Sequence, residues 1–210
     1  MSSGLTPLGR RICVVGTSGA GKTHVAEALA AKLGLVYVSN DAIIWRADWQ
    51  ETPQDEVLEG VDAATQADGW TFDGNLGGSP EDQLVLARCD TLVWLDLPLW
   101  QVVSQVTRRT FGRAITKEPL WHGNQERWRN VFSPNSMVWW SIKTYRRRRR
   151  VYGTLFAATE QAGKTRIRLG SRREVEPGSR LSLPGRLDSS KPRLTRPGAT
   201  ATIARVLVSS

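Results

Sequence analysis

The sequence predicts an α/β protein built on a parallel sheet, and three observations carry that prediction. A glycine-rich loop, Gly-Thr-Ser-Gly-Ala-Gly-Lys-Thr over residues 16–23, lies directly between an apolar run and a helix-like run. Short apolar runs recur along the first 170 residues with helix-like segments between them. Several of those runs end in a carboxylate: Asp41, Asp73 and Asp96. In a parallel sheet the carboxyl ends of the strands share one edge, where ligands bind.

The elements follow in order. Arg11 to Val15 is a short apolar run that reads as a buried strand. His24 to Leu33 reads as a helix, with Gly34 as its stop. Leu35 to Val38 is a second strand. Thr52-Pro53-Gln54-Asp55-Glu56 looks like a helix start with a threonine N-cap, running to Ala67. Trp70-Thr71-Phe72 is a third strand, leading into Asp73-Gly74-Asn75, and Thr91 to Leu95 is a fourth, ending in Asp96. Pro98 and Leu99 open a helix towards Arg109. Residues 112–134 mix Gly, Pro, Arg, Trp and Asn without periodicity and read as a loop-rich insertion. Asn135 to Tyr152 can be helical, with a continuation over Phe156 to Gln161. Thr165 to Leu169 alternates like a last strand. We take residues 1–175 as the folded domain. Residues 176–210, rich in Pro, Gly, Ser and Arg, offer no core face and read as a poorly ordered tail.

The loop at 16–23 fits the G-x-x-x-x-G-K-[ST] pattern, and each residue type has a mechanical task. Gly16, Gly19 and Gly21 let the backbone curl so that the N–H groups along Ser18 and Ala20 face a phosphate. Lys22 brings a point charge to the β- and γ-phosphates, and the Thr23 hydroxyl is placed to ligate Mg²⁺. A helix N-terminus behind the loop favours an anion. ATP and Mg²⁺ are therefore the expected ligands. Mg²⁺ takes few protein ligands, so Thr23 and one strand-end carboxylate suffice. Asp96, after four apolar residues, and Asp73 compete for that place, and the sequence does not separate them. Asp41 could orient an acceptor or act as its base. Arg108, Arg109 and Arg113, ahead of Arg127 and Arg129 in the insertion, suit a lid that neutralises a transferring phosphoryl group. Trp45 and Trp49 follow Asp41 and could line a pocket for a flat ring. Trp121 and Trp128 could stack within the lid. His24 is expected to pack near the loop.

Charge is unevenly placed. The net charge is +9, but residues 1–140 carry 12 Lys/Arg against 16 Asp/Glu, and residues 141–210 carry 17 against 4. The basic third includes five consecutive arginines, Arg146 to Arg150. On a helix these would cover all faces, so one or two must point at the body or at a ligand. Nucleic-acid contact is a further reading of this region. Two cysteines, Cys13 and Cys89, read as buried thiols without disulfide or metal spacing. No membrane-spanning run and no signal peptide are read, so a cytoplasmic location is the default. Monomer and homodimer both stay open. No Asn-Lys-x-Asp segment for reading guanine is present.

The phosphate loop, Asp41-Ala42-Ile43-Ile44-Trp45 with Trp49, Trp70 to Asn75, and Cys89 to Pro98 occur in that order. Arg108-Arg109, Trp121 to Asn124 and Arg166 to Leu169 follow them. Over roughly residues 10–175 the chain resembles the adenylate-kinase-like P-loop proteins often labelled topology modulation proteins, which are similar to adenylate and shikimate kinases. The resemblance implies a three-layer P-loop NTPase fold of the nucleoside-monophosphate-kinase kind, with a five-stranded parallel sheet and a lid. It implies transfer of the γ-phosphoryl of ATP, with Mg²⁺, to a nucleoside monophosphate or another small acceptor. It places adenine near Leu169 to Arg173. The reading set against it is a regulatory or nucleic-acid-associated protein that hydrolyses ATP slowly, supported by the basic C-terminal third.

Overall fold

Near-continuous burial along the central strands, with successive side chains facing opposite sides, is what a parallel sheet covered on both faces requires. The computed structural model describes residues 8–116, 122 and 136–175. Its strands are β1 (Arg11–Gly16), β2 (Val36–Ser39), β3 (Trp70–Asp73), β4 (Thr91–Leu95) and β5 (Thr165–Leu169). They form one sheet in the order β2-β3-β1-β4-β5, all parallel. Cys13 sits beside Phe72 and Leu92, and Val14 beside Asp73 and Val93.

The helices are α1 (Lys22–Leu33), α2 (Asn40–Ile44), α3 (Gln54–Ala64), α4 (Pro80–Arg88), α5 (Leu99–Thr116), α6 (Met137–Gln161) and α7 (Arg172–Val175). Two apolar clusters lie on opposite faces of the sheet. Ile12, Val14, Val93, Leu95 and Ile167 pack with Val25 and Leu29 of α1, Val102 and Val106 of α5, and Tyr145 of α6. Cys13, Val15, Phe72, Leu92 and Trp94 pack with Val57 and Val61 of α3, Val85 of α4, and Tyr152 and Phe156 of α6. Both cysteines are free and buried, as expected, and burial pushes both thiols up. No helix among the described residues is long and apolar enough to cross a membrane.

Several boundaries differ from the sequence reading. Thr52 does not cap α3, because its hydroxyl donates to the Ile43 carbonyl at 2.9 Å, and Pro53 takes the N-cap position. α3 stops at Ala64, and the following Thr65 donates its hydroxyl to the Val61 carbonyl at 2.8 Å. Helix α4 has no counterpart among the elements expected from the sequence. Its signal is Ser79-Pro80-Glu81-Asp82, where Asp82 Oδ2 accepts from the Gly77, Gly78 and Ser79 N–H groups at 2.6–3.2 Å. α5 does not end at Arg109 but runs to Thr116, so residues 112–116 of the expected insertion are helical. α6 passes straight through Gly153, where the periodic burial of Tyr152, Phe156 and Thr159 holds it. The rest of the expected lid, apart from His122, lies outside the described residues, as do Arg127, Arg129, Trp121, Trp128 and the tail over 176–210.

One polar contact closes the sheet at its far end. Lys164, just before β5, donates from Nζ to the carbonyls of Leu86, Ala87 and Cys89 at 2.6, 3.0 and 2.7 Å. These are among the last carbonyls of α4, where a cation is favoured.

Candidate functional site

The phosphate loop owes its path to glycines at positions where side chains would collide. Gly19 (φ 86°) and Gly21 (φ 90°) are left-handed. A β-carbon on Gly19 would lie 2.1 Å from Val106 Cγ2 and 3.1 Å from the Val102 carbonyl oxygen. The loop is therefore wedged against α5. Gly16 is confined less severely, with the Leu95 carbonyl oxygen 3.0 Å from where its β-carbon would be. The Ala20 N–H closes a turn on the Thr17 carbonyl at 3.0 Å. We expect Gly19→Ala to cost on the order of 1–3 kcal/mol through overpacking and the positive φ. Its urea midpoint and its affinity for ATP should fall together.

Helix α1 begins at Lys22 with Gly21 as N-cap, and neither a capping side chain nor an acid stands in its first turn. Its leading N–H groups thus keep their preference for an anion. Lys22 Nζ reaches the Thr17 carbonyl at 3.5 Å. Burial lowers the Lys22 pKa, and the carboxylates of Asp73 and then Asp41 oppose that shift. Arg148 and Arg109 act on it in the same direction as burial.

Asp73 ends β3, next to β1, and its Oδ2 accepts the Thr23 hydroxyl at 2.5 Å and the Tyr37 hydroxyl at 3.4 Å. Burial first, then Asp73, pushes the Tyr37 pKa up, so the phenol stays protonated. Asp41 is the second residue of α2, where Ser39 caps the helix by accepting the Ala42 N–H at 3.3 Å. Burial raises the Asp41 pKa. Lys22 opposes the rise, Asp73 adds to it, and Arg109 and Arg148 oppose it.

Asp96 has a different environment. It sits just beyond β4 with its side chain 4% exposed, and it takes Arg149 Nε at 2.8 Å and Nη2 at 3.1 Å. Arg168 of β5 closes on the same carboxylate through Nε at 3.0 Å and also through Nη2, and lies 4.7 Å over the Trp94 ring. A carboxylate holding two guanidinium groups ties β4, β5 and α6 together. Asp96→Asn should cost roughly 1–2 kcal/mol, since the arginines stay partly solvated. The urea midpoint should drop while ATP affinity holds. Lost ATP affinity without lost stability would return Asp96 to the metal side.

The arginine run is sorted by the helix. Along one face of α6, the Ser141 hydroxyl meets the Ser18 carbonyl at 3.5 Å and the Tyr145 hydroxyl donates to the Leu97 carbonyl at 3.0 Å. Arg148 donates to the Tyr152 hydroxyl at 3.0 Å and lies 4.5 Å over the Trp140 ring, while Arg149 binds Asp96. Arg146, Arg147 and Arg150 are exposed. Arg148, whose charge reaches Lys22 and Asp41, was not singled out from the sequence. The signal was the 3–4 spacing of Ser141, Tyr145, Arg148 and Tyr152.

Of the remaining candidates, Arg109 on α5 is half-buried and its charge reaches the same two groups. Arg108 faces solvent, because the helix turns its neighbours Val106 and Thr110 inward. Arg113 is half-buried one turn beyond Arg109. His24 is exposed rather than packed on the loop. Trp45 and Trp49 meet edge to face, centroids 5.9 Å apart, in a turn where Asp48 (φ 58°) and Trp49 (φ 57°) are both left-handed. His122 brings Nε2 within 3.1 Å of the Ala42 carbonyl, beside Asp41. After β5, α7 folds back so that Val175 is buried, with Cγ1 3.8 Å from where a β-carbon on Gly21 would be.

A parallel α/β sheet with an intact phosphate loop between β1 and α1 defines a P-loop fold. No protein-family model matches the chain, and no curated protein matches it. Among solved structures, a shikimate kinase from Acinetobacter baumannii in complex with shikimate is similar at 16% identity, over 76% of this chain and 82% of that one, with a TM-score of 0.47. A gluconokinase from Sinorhizobium meliloti is similar at 14% identity, over 96% and 90%, with a TM-score of 0.45. A sugar kinase from a Janibacter species, unliganded, follows at 18% identity, over 77% and 85%, with a TM-score of 0.41. These are distant likenesses of chain path.

Proposed function

We propose that this protein is a phosphotransferase that moves the γ-phosphoryl group of ATP to a small acceptor. The observation that supports this best is the grouping of Lys22 with Asp41 and Asp73 beside the phosphate loop: Lys22 and Asp41 are felt in each other's ionisation, and the charge of Asp73 is felt by both. A protein that only held or hydrolysed nucleotide would not need a second, half-buried carboxylate within reach of Lys22.

The loop N–H groups and Lys22 bind and orient the triphosphate. The described residues contain no cluster of three His, Cys, Asp or Glu that could hold a metal. A Mg²⁺ site needs none, and the touching pair of Thr23 and Asp73 fits one. When bound, Mg²⁺ supplies charge neutralisation to the phosphate oxygens. Asp73 is the better partner of Thr23, since Asp96 is committed to two arginines. Asp41 takes the proton of the acceptor hydroxyl. The hydroxyl oxygen forms its bond to the γ-phosphorus as the bond to the β–γ bridging oxygen breaks, leaving ADP. Arg109 and Arg148 offset charge on the group in transit. Family resemblance alone would make that acceptor a nucleoside monophosphate; the charge of residues 36–87 of this chain, eleven carboxylates to one arginine, speaks against it.

The test is ATP turnover with a panel of nucleoside monophosphates and small alcohols, set against turnover with DNA or RNA. ADP rising in step with one phosphorylated small molecule is the expected result. Stimulation by nucleic acid, with no phosphorylated product, would sink this reading.

A further inference from the structure

The acceptor side of the site carries a charge pattern of its own. From Val36 to Ala87, the stretch that holds β2, α2, α3, β3 and most of α4, the chain has eleven carboxylates and one basic residue, Arg46. Arg46 is paired with Glu56. Arg88, the next cation along the chain, is paired with Asp62 and donates to Thr65 Oγ1 at 2.7 Å. The cations around Asp41 come from elsewhere: Lys22 from the loop, Arg109 from α5 and Arg148 from α6. Those three act on Asp41 and, in the reading above, on a triphosphate as well. Among the described residues the acceptor-side segment itself adds to those three only Arg46, already paired with Glu56.

The second observation concerns hydrogen bonding. Asn40 opens α2 beside Asp41 and is 5% exposed, and its side-chain oxygen is buried with no hydrogen-bond partner among the described residues. The side-chain oxygen of Asn75, two residues beyond Asp73, is in the same condition. The two strand ends touch: a β-carbon on Gly74 would lie 3.3 Å from Asn40 Cβ. The edge that holds Asp41 and Asp73 thus also holds two buried amide oxygens that accept no hydrogen bond from the described residues. Buried polar groups of this kind are commonly completed by a ligand or an ordered water. The adjacent Trp45 and Trp49 rings offer electron-rich faces that suit C–H groups or a cation and do not suit an anion.

Resting on the phosphotransferase reading, we infer that the acceptor is a polyol without negative charge, neutral or aminated, and not a phosphate ester or a carboxylate. Its hydroxyl groups complete the Asn40 and Asn75 amides, and one of them is delivered to Asp41.

The test uses the full chain with ATP and Mg²⁺ and pairs of acceptors that differ in charge. Hexoses, pentitols, inositols and amino sugars form one arm. Gluconate, glucose 6-phosphate and AMP form the other. ADP and phosphorylated product are measured together. We expect kcat/KM for the best uncharged or aminated polyol to exceed that of every anionic acceptor by about tenfold or more, the least that an uncompensated like charge imposes. Asn40→Ala should raise KM for that polyol while KM for ATP stays unchanged. Preferred transfer to AMP, glucose 6-phosphate or gluconate overturns this inference and leaves the phosphotransferase reading standing. ATP hydrolysis with no phosphorylated product from any acceptor overturns that reading, and this inference with it.

Discussion

Lys22→Ala is expected to lower phosphoryl transfer from ATP on the order of 10²–10³-fold, the scale for losing one preorganised charge contact at a transferring group. The lysine follows the last loop glycine directly and opens α1, so its charge and the helix N-terminus act at one point. The fold should survive. Burial disfavours the ammonium form, so its removal relieves a cost, while Asp73 and Asp41 lose a cation that supports them. These effects oppose one another, and the urea midpoint should move little. Single-turnover rates with bound ATP, read beside equilibrium affinity, are the measurement. Unchanged affinity and unchanged rate would contradict the whole placement of the site.

Asp41→Asn is the second large effect, about 10²–10⁴-fold in kcat/KM for loss of a general base. The pH dependence gives it a distinct signature. Burial, the largest influence, raises the Asp41 pKa above the ordinary carboxylate value. A base acts in its ionised form, so activity should fall as pH drops through that raised pKa, at a higher pH than an ordinary aspartate would give. The asparagine variant should lose this acid limb and keep its affinity for ATP. A variant that retained both the rate and the acid limb would remove Asp41 from the chemistry. For stability the sign is the reverse. The folded chain holds the Asp41 proton more tightly than the unfolded one, so this group's contribution is fully present below the unfolded pKa. It is lost as pH rises through the folded value.

What was legible in the sequence was whatever local chemistry dictates. The loop at 16–23 is dictated by its glycines, the central strands β1, β3 and β4 by apolar runs buried on both faces, and β5 by its alternation. Asp41 and Asp73 could be placed on one edge because parallel topology leaves no other arrangement. What stayed hidden depended on long-range partners. Asp73 and Asp96 look alike from sequence, since each follows an apolar strand. Only the distant Arg149 and Arg168 show that one is occupied and the other meets Thr23. Arg108 and Arg109 are likewise indistinguishable until the phase of α5 against Val102 and Val106 is known. Helix α4 is a different kind of miss. Its cap was written in Ser79 and Asp82, but a nine-residue helix with a weak apolar stripe passes for a loop.

The three carbonyls held by Lys164 have a consequence for how the molecule presents itself to reagents. An ammonium group that donates to Leu86, Ala87 and Cys89 at once has its donors committed to backbone. Acylation would first require those contacts to open, and would afterwards leave three helix-end carbonyls without their cation. Lys164 should therefore be slow to react with amine-directed labels while the sheet is intact and fast once β5 has left α4, which makes this single side chain a built-in gauge of whether the last strand is in place.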